Sequence, residues 1–249
     1  MSVRDKIYFA SDFHLGVTSK TTSMERERKL VSWLDHIQAD AKALFLVGDI
    51  FDFWFEYNTV VPKGFIRFLG KLATLSDLGV EITFFKGNHD MWMFGYLKEQ
   101  LNARIVDNEL TLQLDGKRFY IHHGDGLGPG DRKYKFLKAF FRSKVCQWLF
   151  ARLHPNLGIG IAQRWSRHSR AASLGEERFL GEEREWLIQY AKEVLQEEYF
   201  DYFIFGHRHL PYAVQLSEKS HIVNLGEWMH SCTYAVWDGK QLALKQWMP

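Results

Sequence analysis

The 249 residues, 46% of them hydrophobic, suffice for one large core, and a single domain spanning residues 1–249 with an insertion is expected. The formal net charge of +2 sums opposed regions and selects no partner; two cysteines, Cys146 and Cys232, argue against a disulfide framework or a Cys-rich metal site. No run reaches the roughly 20 apolar residues of a membrane span, and Met1 to Ser11 lacks the basic and apolar regions of a secretion signal, so a cytoplasmic setting is expected.

In chain order, Ile7-Tyr8-Phe9-Ala10 reads as a buried strand that delivers Ser11-Asp12-Phe13-His14 at its end. Thr22 and Glu25 have capping-box spacing, and Leu30, Val31, Leu34 and Ile37 follow at helical intervals. A second apolar run, Ala43 to Val47, ends in Gly48-Asp49, as a parallel strand buried on both faces would. Phe65, Phe68, Leu69, Leu72 and Leu75 restore helical spacing, and a third run, Ile82 to Phe85, ends in Gly87-Asn88-His89-Asp90.

Asp115-Gly116 between Leu110–Leu114 and Lys117–Ile121 predicts a hairpin whose second strand runs into His122-His123-Gly124-Asp125. From Asp131 to Arg170 ten bases face one acid, and Leu137, Phe141, Val145, Trp148 and Leu149 fall on one predicted helix face beside Lys138, Arg142 and Lys144. The glutamates from Glu176 to Glu198 predict a solvated helix. Tyr202 to Phe205 is a further strand emptying into Gly206-His207-Arg208-His209, and antiparallel strands are expected around Val214, Val223, Ala235–Trp237 and Leu242–Leu244.

Five clusters rich in Asp, Asn and His thus stand where apolar strands stop, and strand ends on one sheet edge converge. Each fragment alone reads equally well as a turn or a cap; their joint occurrence at strand exits argues for a pocket. Carboxylate, amide oxygen and imidazole without thiolate suit Mn²⁺, Fe or Zn²⁺ better than Mg²⁺. His122 neighbours His123 but falls on the opposite face of its strand, as a structural histidine would.

On these blocks the chain resembles the calcineurin-like metallophosphoesterases: Asp12-Phe13-His14, Gly48-Asp49, Gly87-Asn88-His89-Asp90, His123-Gly124-Asp125 and Gly206-His207-Arg208-His209. The resemblance implies a four-layer α/β/β/α sandwich with one metal on Asp12, His14, Asp49 and His209 and another on Asp49, Asn88, His123 and His207, Asp49 bridging. Two cations about 3.5–4 Å apart would activate water and neutralise charge during phosphoryl transfer. His89 would be the acid that serves the leaving oxygen, with Asp90 orienting it.

The protein serine/threonine phosphatases carry an Arg-Gly segment after the second block, whereas here Ile50-Phe51-Asp52-Phe53-Trp54 follows. That aromatic run, the opening Ser11-Asp12-Phe13-His14-Leu15-Gly16 and the insertion at 128–175 resemble the UDP-2,3-diacylglucosamine hydrolases of lipid A synthesis. The resemblance implies cleavage of a lipid-linked nucleotide sugar to 2,3-diacylglucosamine 1-phosphate and UMP, with Mn²⁺ as activator. It also implies a helical cap over the acyl chains, substrate contacts from Asn88, His89, Arg164 and Ser169, and peripheral association with the cytoplasmic face of the inner membrane.

His89 departs from the arginine of the best-known hydrolase: arginine stays cationic, whereas histidine can also exchange a proton near neutral pH. The substrate therefore stays open to another nucleotide, phospholipid or small phosphodiester. A noncatalytic membrane-surface or nucleic-acid-binding protein is the contrasting possibility; no recognised nucleic-acid motif accompanies the basic stretch, and no such partner is expected.

Overall fold

The computed structural model describes residues 4–17, 22–128, 132–172 and 178–248. Two sheets stack face to face, with helices against their outer surfaces. The first has strand order β11-β10-β1-β2-β3-β4, comprising β1 (Lys6–Ala10), β2 (Ala41–Val47), β3 (Glu81–Phe85), β4 (Arg104–Val106), β10 (Thr233–Trp237) and β11 (Leu242–Gln246). The second runs β5-β6-β7-β9-β8, from β5 (Leu110–Leu114), β6 (Lys117–His122), β7 (Tyr202–Phe205), β8 (Tyr212–Gln215) and β9 (His221–Asn224).

Strands β1 to β4 are parallel because helices connect them. Helix α1 (Ser23–Ile37) opens with the predicted capping box, Thr22 and Glu25 each bonding the other's backbone N–H. Helix α2 (Ile66–Asp77) has no cap of its own, since Phe65 before it is left-handed; Glu27 of α1 accepts from Arg67 N and Phe68 N instead. Short α3 (Tyr96–Leu101) precedes β4.

Alternation along the strands sorts the core into layers. Tyr8, Leu44, Leu46 and Phe84 pack outward on Leu30, Trp33 and Leu34 of α1 and Phe68 and Leu72 of α2. Their neighbours Phe9, Phe45, Val47 and Phe85 point inward onto Phe119, Ile121, Ile204 and Val223 of the second sheet. The far face of that sheet, Tyr120, Phe203 and Phe205, is covered by Leu187, Ile188 and Ala191 of α7 (Trp186–Glu197). The result is the expected α/β/β/α sandwich.

At the hairpin, Asp115 and Gly116 both have positive φ, as a two-residue primed turn demands. The C-terminal strands divide between layers: β8 and β9 pair in the second sheet, β10 and β11 in the first.

Between the hairpin and α7 lie α4 (Arg132–Arg142), α5 (Lys144–Phe150) and α6 (Pro155–Ala172). The apolar face expected from Leu137 to Leu149 is interrupted, because Ser143 ends α4 and caps α5 by accepting from Cys146 N. Leu137 and Phe141 turn inward, whereas Val145, Trp148 and Leu149 are exposed. The glutamate-rich segment differs too: Glu185 is buried and holds the equally buried Arg208 through two hydrogen bonds of 3.1 and 3.2 Å.

Candidate metal centre and adjoining chamber

The polar clusters follow the C-terminal ends of β1, β2 and β3 in one sheet and of β6 and β7 in the other, so stacking two sheets, rather than one edge, assembles the site. Asp12, His14, Asp49, His207 and His209 all have left-handed backbones, with φ between 43° and 64°. Such non-glycine conformations cost on the order of 1–3 kcal/mol each and concentrate at functional sites. Glycines make the approach possible: a Cβ on Gly48 would stand 2.3 Å from His123 Nδ1, and one on Gly87 would stand 2.1 Å from Asp49 Oδ1.

Three groups of donor atoms converge: Asp12, His14 and His209; His14, Asp49 and His89; and Asp49, His123 and His207. His14 Nε2 and His209 Nε2 are 3.0 Å apart, and His209 Nε2 is 3.2 Å from Asp12 Oδ1. His123 Nε2 lies 3.5 Å from Asp49 Oδ2 and 3.3 Å from Asn88 Oδ1. All seven residues named from the sequence, with His89, therefore occupy one region.

Asp12 and Asp49 each commit one oxygen to the backbone and turn the other inward. Asp12 Oδ2 accepts from His207 N and Asp49 Oδ1 from His89 N, both at 2.9 Å. Asp12 Oδ1 is left without a hydrogen-bond partner, and Asp49 Oδ2 faces three imidazoles. His123 Nδ1 stands 2.8 Å from the Val47 carbonyl, which can only accept, so Nδ1 carries the hydrogen and Nε2 points into the site. An unpartnered buried anionic oxygen among convergent imidazole nitrogens, with no thiolate, fits divalent cations of the Mn, Fe or Zn type.

Electrostatics agree. Burial opposes ionisation of Asp12, but the His14 and His209 imidazoles beside it outweigh that and hold the carboxyl well below the usual range. Burial opposes that of Asp49 too, and the imidazoles, His123 foremost, overcome it. Burial pushes His207 down to about 4. His123 and His209 go the other way: burial alone would lower both, yet the Asp49 anion beside His123 raises it to about 10, and the Asp12 carboxylate beside His209 raises that ring as well.

Asp90 does not orient His89. Its carboxylate accepts from Gly87 N, Ile50 N and Phe51 N at 2.8–3.2 Å and from Asp49 N at 3.3 Å, tying the loops after β2 and β3 together; burial and the Asp49 charge push it up to about 7. His89 is held instead by Asp52, whose main-chain oxygen is 3.2 Å from Nδ1, and by Ser166 Oγ at 2.9 Å. His122 is buried and accepts from Gly124 N, and burial lowers it to about 3.

Beside His89 opens a cavity of about 350 Å³. Asp52, Asn88 and His89 form one wall, and Leu137, Phe141, Phe150, Ile161 and Trp165 line much of the rest. The inserted helices are fastened to the centre at polar points: Tyr134 and Lys138 bond Asp125, each at 2.7 Å, and Trp92 Nε1 donates to Phe141 O. Arg164 is exposed on α6, and the polar residue this helix turns inward is Ser166. Ser169 shares the helix, but its side chain lies outside the described residues. Asp52 had a sequence signal, a lone acid inside an aromatic run; Ser166 had only its four-residue spacing from chamber-lining Ala162.

Residues 5–211 match the family described as calcineurin-like phosphoesterase. A UDP-2,3-diacylglucosamine hydrolase from Porphyromonas gingivalis is 42% identical over 98% of this chain and 98% of its own length. Proteins of the same name from Actinobacillus succinogenes and Haemophilus influenzae are 25% and 28% identical, covering 90% and 89% of this chain and 92% and 90% of theirs. With its sheets, strand-end clusters and matched length taken together, this chain belongs to the calcineurin-like phosphoesterase family.

Proposed function

We propose that the chain hydrolyses the pyrophosphate of UDP-2,3-diacylglucosamine to UMP and 2,3-diacylglucosamine 1-phosphate, with two divalent cations, Mn²⁺ foremost. The carrying observation is the junction of the donor cluster with an apolar chamber at His89. An acyl chain entering that chamber gains about 0.8 kcal/mol per buried methylene, which a small phosphodiester cannot. The names of the relatives point the same way.

In this assignment Asp12, His14, Asp49 and His209 hold one cation and Asp49, Asn88, His123 and His207 the other. When bound, such a pair supplies an activated water and neutralises charge on the phosphoryl oxygens. The chain's own groups do the rest. His123 is fixed by Val47 O, Asp49 by His89 N, and His89 presents Nε2 toward the site, 3.9 Å from Asp49 Oδ2, where it can protonate the leaving oxygen. The helices at 132–172 act as a cap, keeping acyl chains from water through Leu137, Phe141 and Trp165.

The cap's outer surface supports a peripheral seat on the cytoplasmic face of the inner membrane. Phe136, Phe140, Trp148 and Leu149 are each more than half exposed, near the exposed bases Lys135, Lys144 and Arg152. Apolar rings with flanking cations suit the interface of an anionic bilayer. No helix among the described residues is long and apolar enough to cross it.

Purified chain supplied with Mn²⁺ is expected to release UMP from UDP-2,3-diacylglucosamine. Cleavage of simple diesters with that compound left intact would reject the substrate and keep the chemistry.

A further inference from the structure

Ser166 Oγ, on α6, stands 2.7 Å from Asp52 Oδ1 and 2.9 Å from His89 Nδ1, and the serine is 5% exposed. Proton counting orders this trio. The hydroxyl donates its single hydrogen to Asp52 Oδ1. Toward His89 the hydroxyl then only accepts, so Nδ1 carries a hydrogen. The Asp52 carbonyl, 3.2 Å from that nitrogen, requires the same. Nε2 remains as the nitrogen that trades a proton with substrate.

We infer that Ser166 is a positioning residue: by bridging Asp52 and His89 it fixes the tautomer and orientation of the imidazole, so that Nε2 faces the departing oxygen. The inference rests on the hydrolysis proposed above and adds what the inserted helix contributes to it. Ala162 and Trp165 of the same helix line the chamber. Seating α6 over an apolar chain and presenting Nε2 are thereby one mechanical event. As the oxygen of the attacking water bonds to phosphorus and the bond to the departing oxygen breaks, that oxygen leaves with the electron pair and takes the Nε2 proton of a ring protonated on both nitrogens, while Nδ1 keeps its hydrogen.

Two esters of UMP separate positioning from general damage, because a phenolate needs a proton donor and a 4-nitrophenolate departs largely unaided. With the metal-loaded full chain, Ser166→Ala is expected to lower kcat on the phenyl ester by about 10–100-fold, the scale for losing a histidine's orienting partner. KM and bound metal should stay near wild type, the nitrophenyl ester should lose far less, and Ser166→Thr, which keeps the hydroxyl, should recover most of the rate. Equal losses on both esters, or a threonine variant no better than alanine, would overturn the inference.

Imidazole nitrogen NMR of the zinc-loaded wild type stands whether or not the Ser166 variants fold or either ester is cleaved. With His89 assigned by its disappearance in His89→Gln, a hydrogen on Nδ1 is expected, and a bare Nδ1 would overturn the bridge. Wild type that cleaves the phenyl ester but leaves UDP-2,3-diacylglucosamine intact would cost the substrate assignment alone.

Discussion

Among single residues Asp49 occupies the most connected place, because its Oδ2 faces His14, His89 and His123 while its Oδ1 is held by a backbone N–H. Asp49→Ala removes the anion shared by two donor groups. Turnover is expected to vanish and metal content, read by elemental analysis, to fall. His89→Ala should instead keep the metal and slow the reaction by about 10²–10⁴-fold, the usual contribution of a general acid; unchanged kcat would remove His89 from the chemistry. His123 makes metal binding pH-dependent. Its folded, metal-free value is raised to about 10, so below that pH a proton occupies the nitrogen a cation needs, while Asp12 and Asp49, both lowered, are already ionised at neutral pH. Binding therefore releases the His123 proton at least, His209 being raised as well, and affinity should rise from pH 6 to 8 by about tenfold per unit for each proton displaced. Calorimetry in buffers of differing ionisation enthalpy measures that release; a flat affinity would contradict it.

Among elements, the loop after β7 depends on α7's N-terminal end. Arg208 sits between His207 and His209, both left-handed, and is gripped by Glu185 just before α7. Breaking a buried ion pair by removing one partner costs about 3–5 kcal/mol. Glu185→Ala should accordingly lower the melting temperature and weaken metal binding together, because the same loop carries both histidines. A variant with a wild-type melting curve would show that the pair is dispensable. The break at Ser143 works at this scale as well: one long helix would put Leu137 and Trp148 on a single face, whereas two short ones send the first inward to the chamber and the second to the surface.

For the whole molecule, the helices at 132–172 present two surfaces: an apolar interior beside the candidate metal centre and an exterior of exposed rings and bases. Vesicles containing anionic phospholipid should retain the chain and release it as salt rises, since each basic residue near such a surface contributes about 1 kcal/mol of screened attraction. Trp148→Ser with Leu149→Ser should weaken retention without changing hydrolysis of a soluble ester, as neither residue lines the chamber. Equal retention of variant and wild type in a sedimentation assay would exclude this surface as the contact.

The sequence by itself determined the order of the strands that carry the site, the first two helices between them, and the residues at strand exits. Apolar runs such as Ala43 to Val47 can be satisfied only by burial on both faces, and Gly48-Asp49 or Gly206-His207 must then lie where the run stops. Periodicity also gave α1 and its cap, because those interactions span four residues or fewer. Only the tertiary structure decided that β9 joins β7 while β10 joins β1, since register is set by a partner far along the chain. It likewise decided that Asp90 bonds backbone while Asp52 and Ser166 hold His89, a contact spanning 77 positions between serine and histidine that local pattern does not encode. Chemistry written in residue types is local; orientation depends on which distant side chains the packed layers bring within hydrogen-bonding reach.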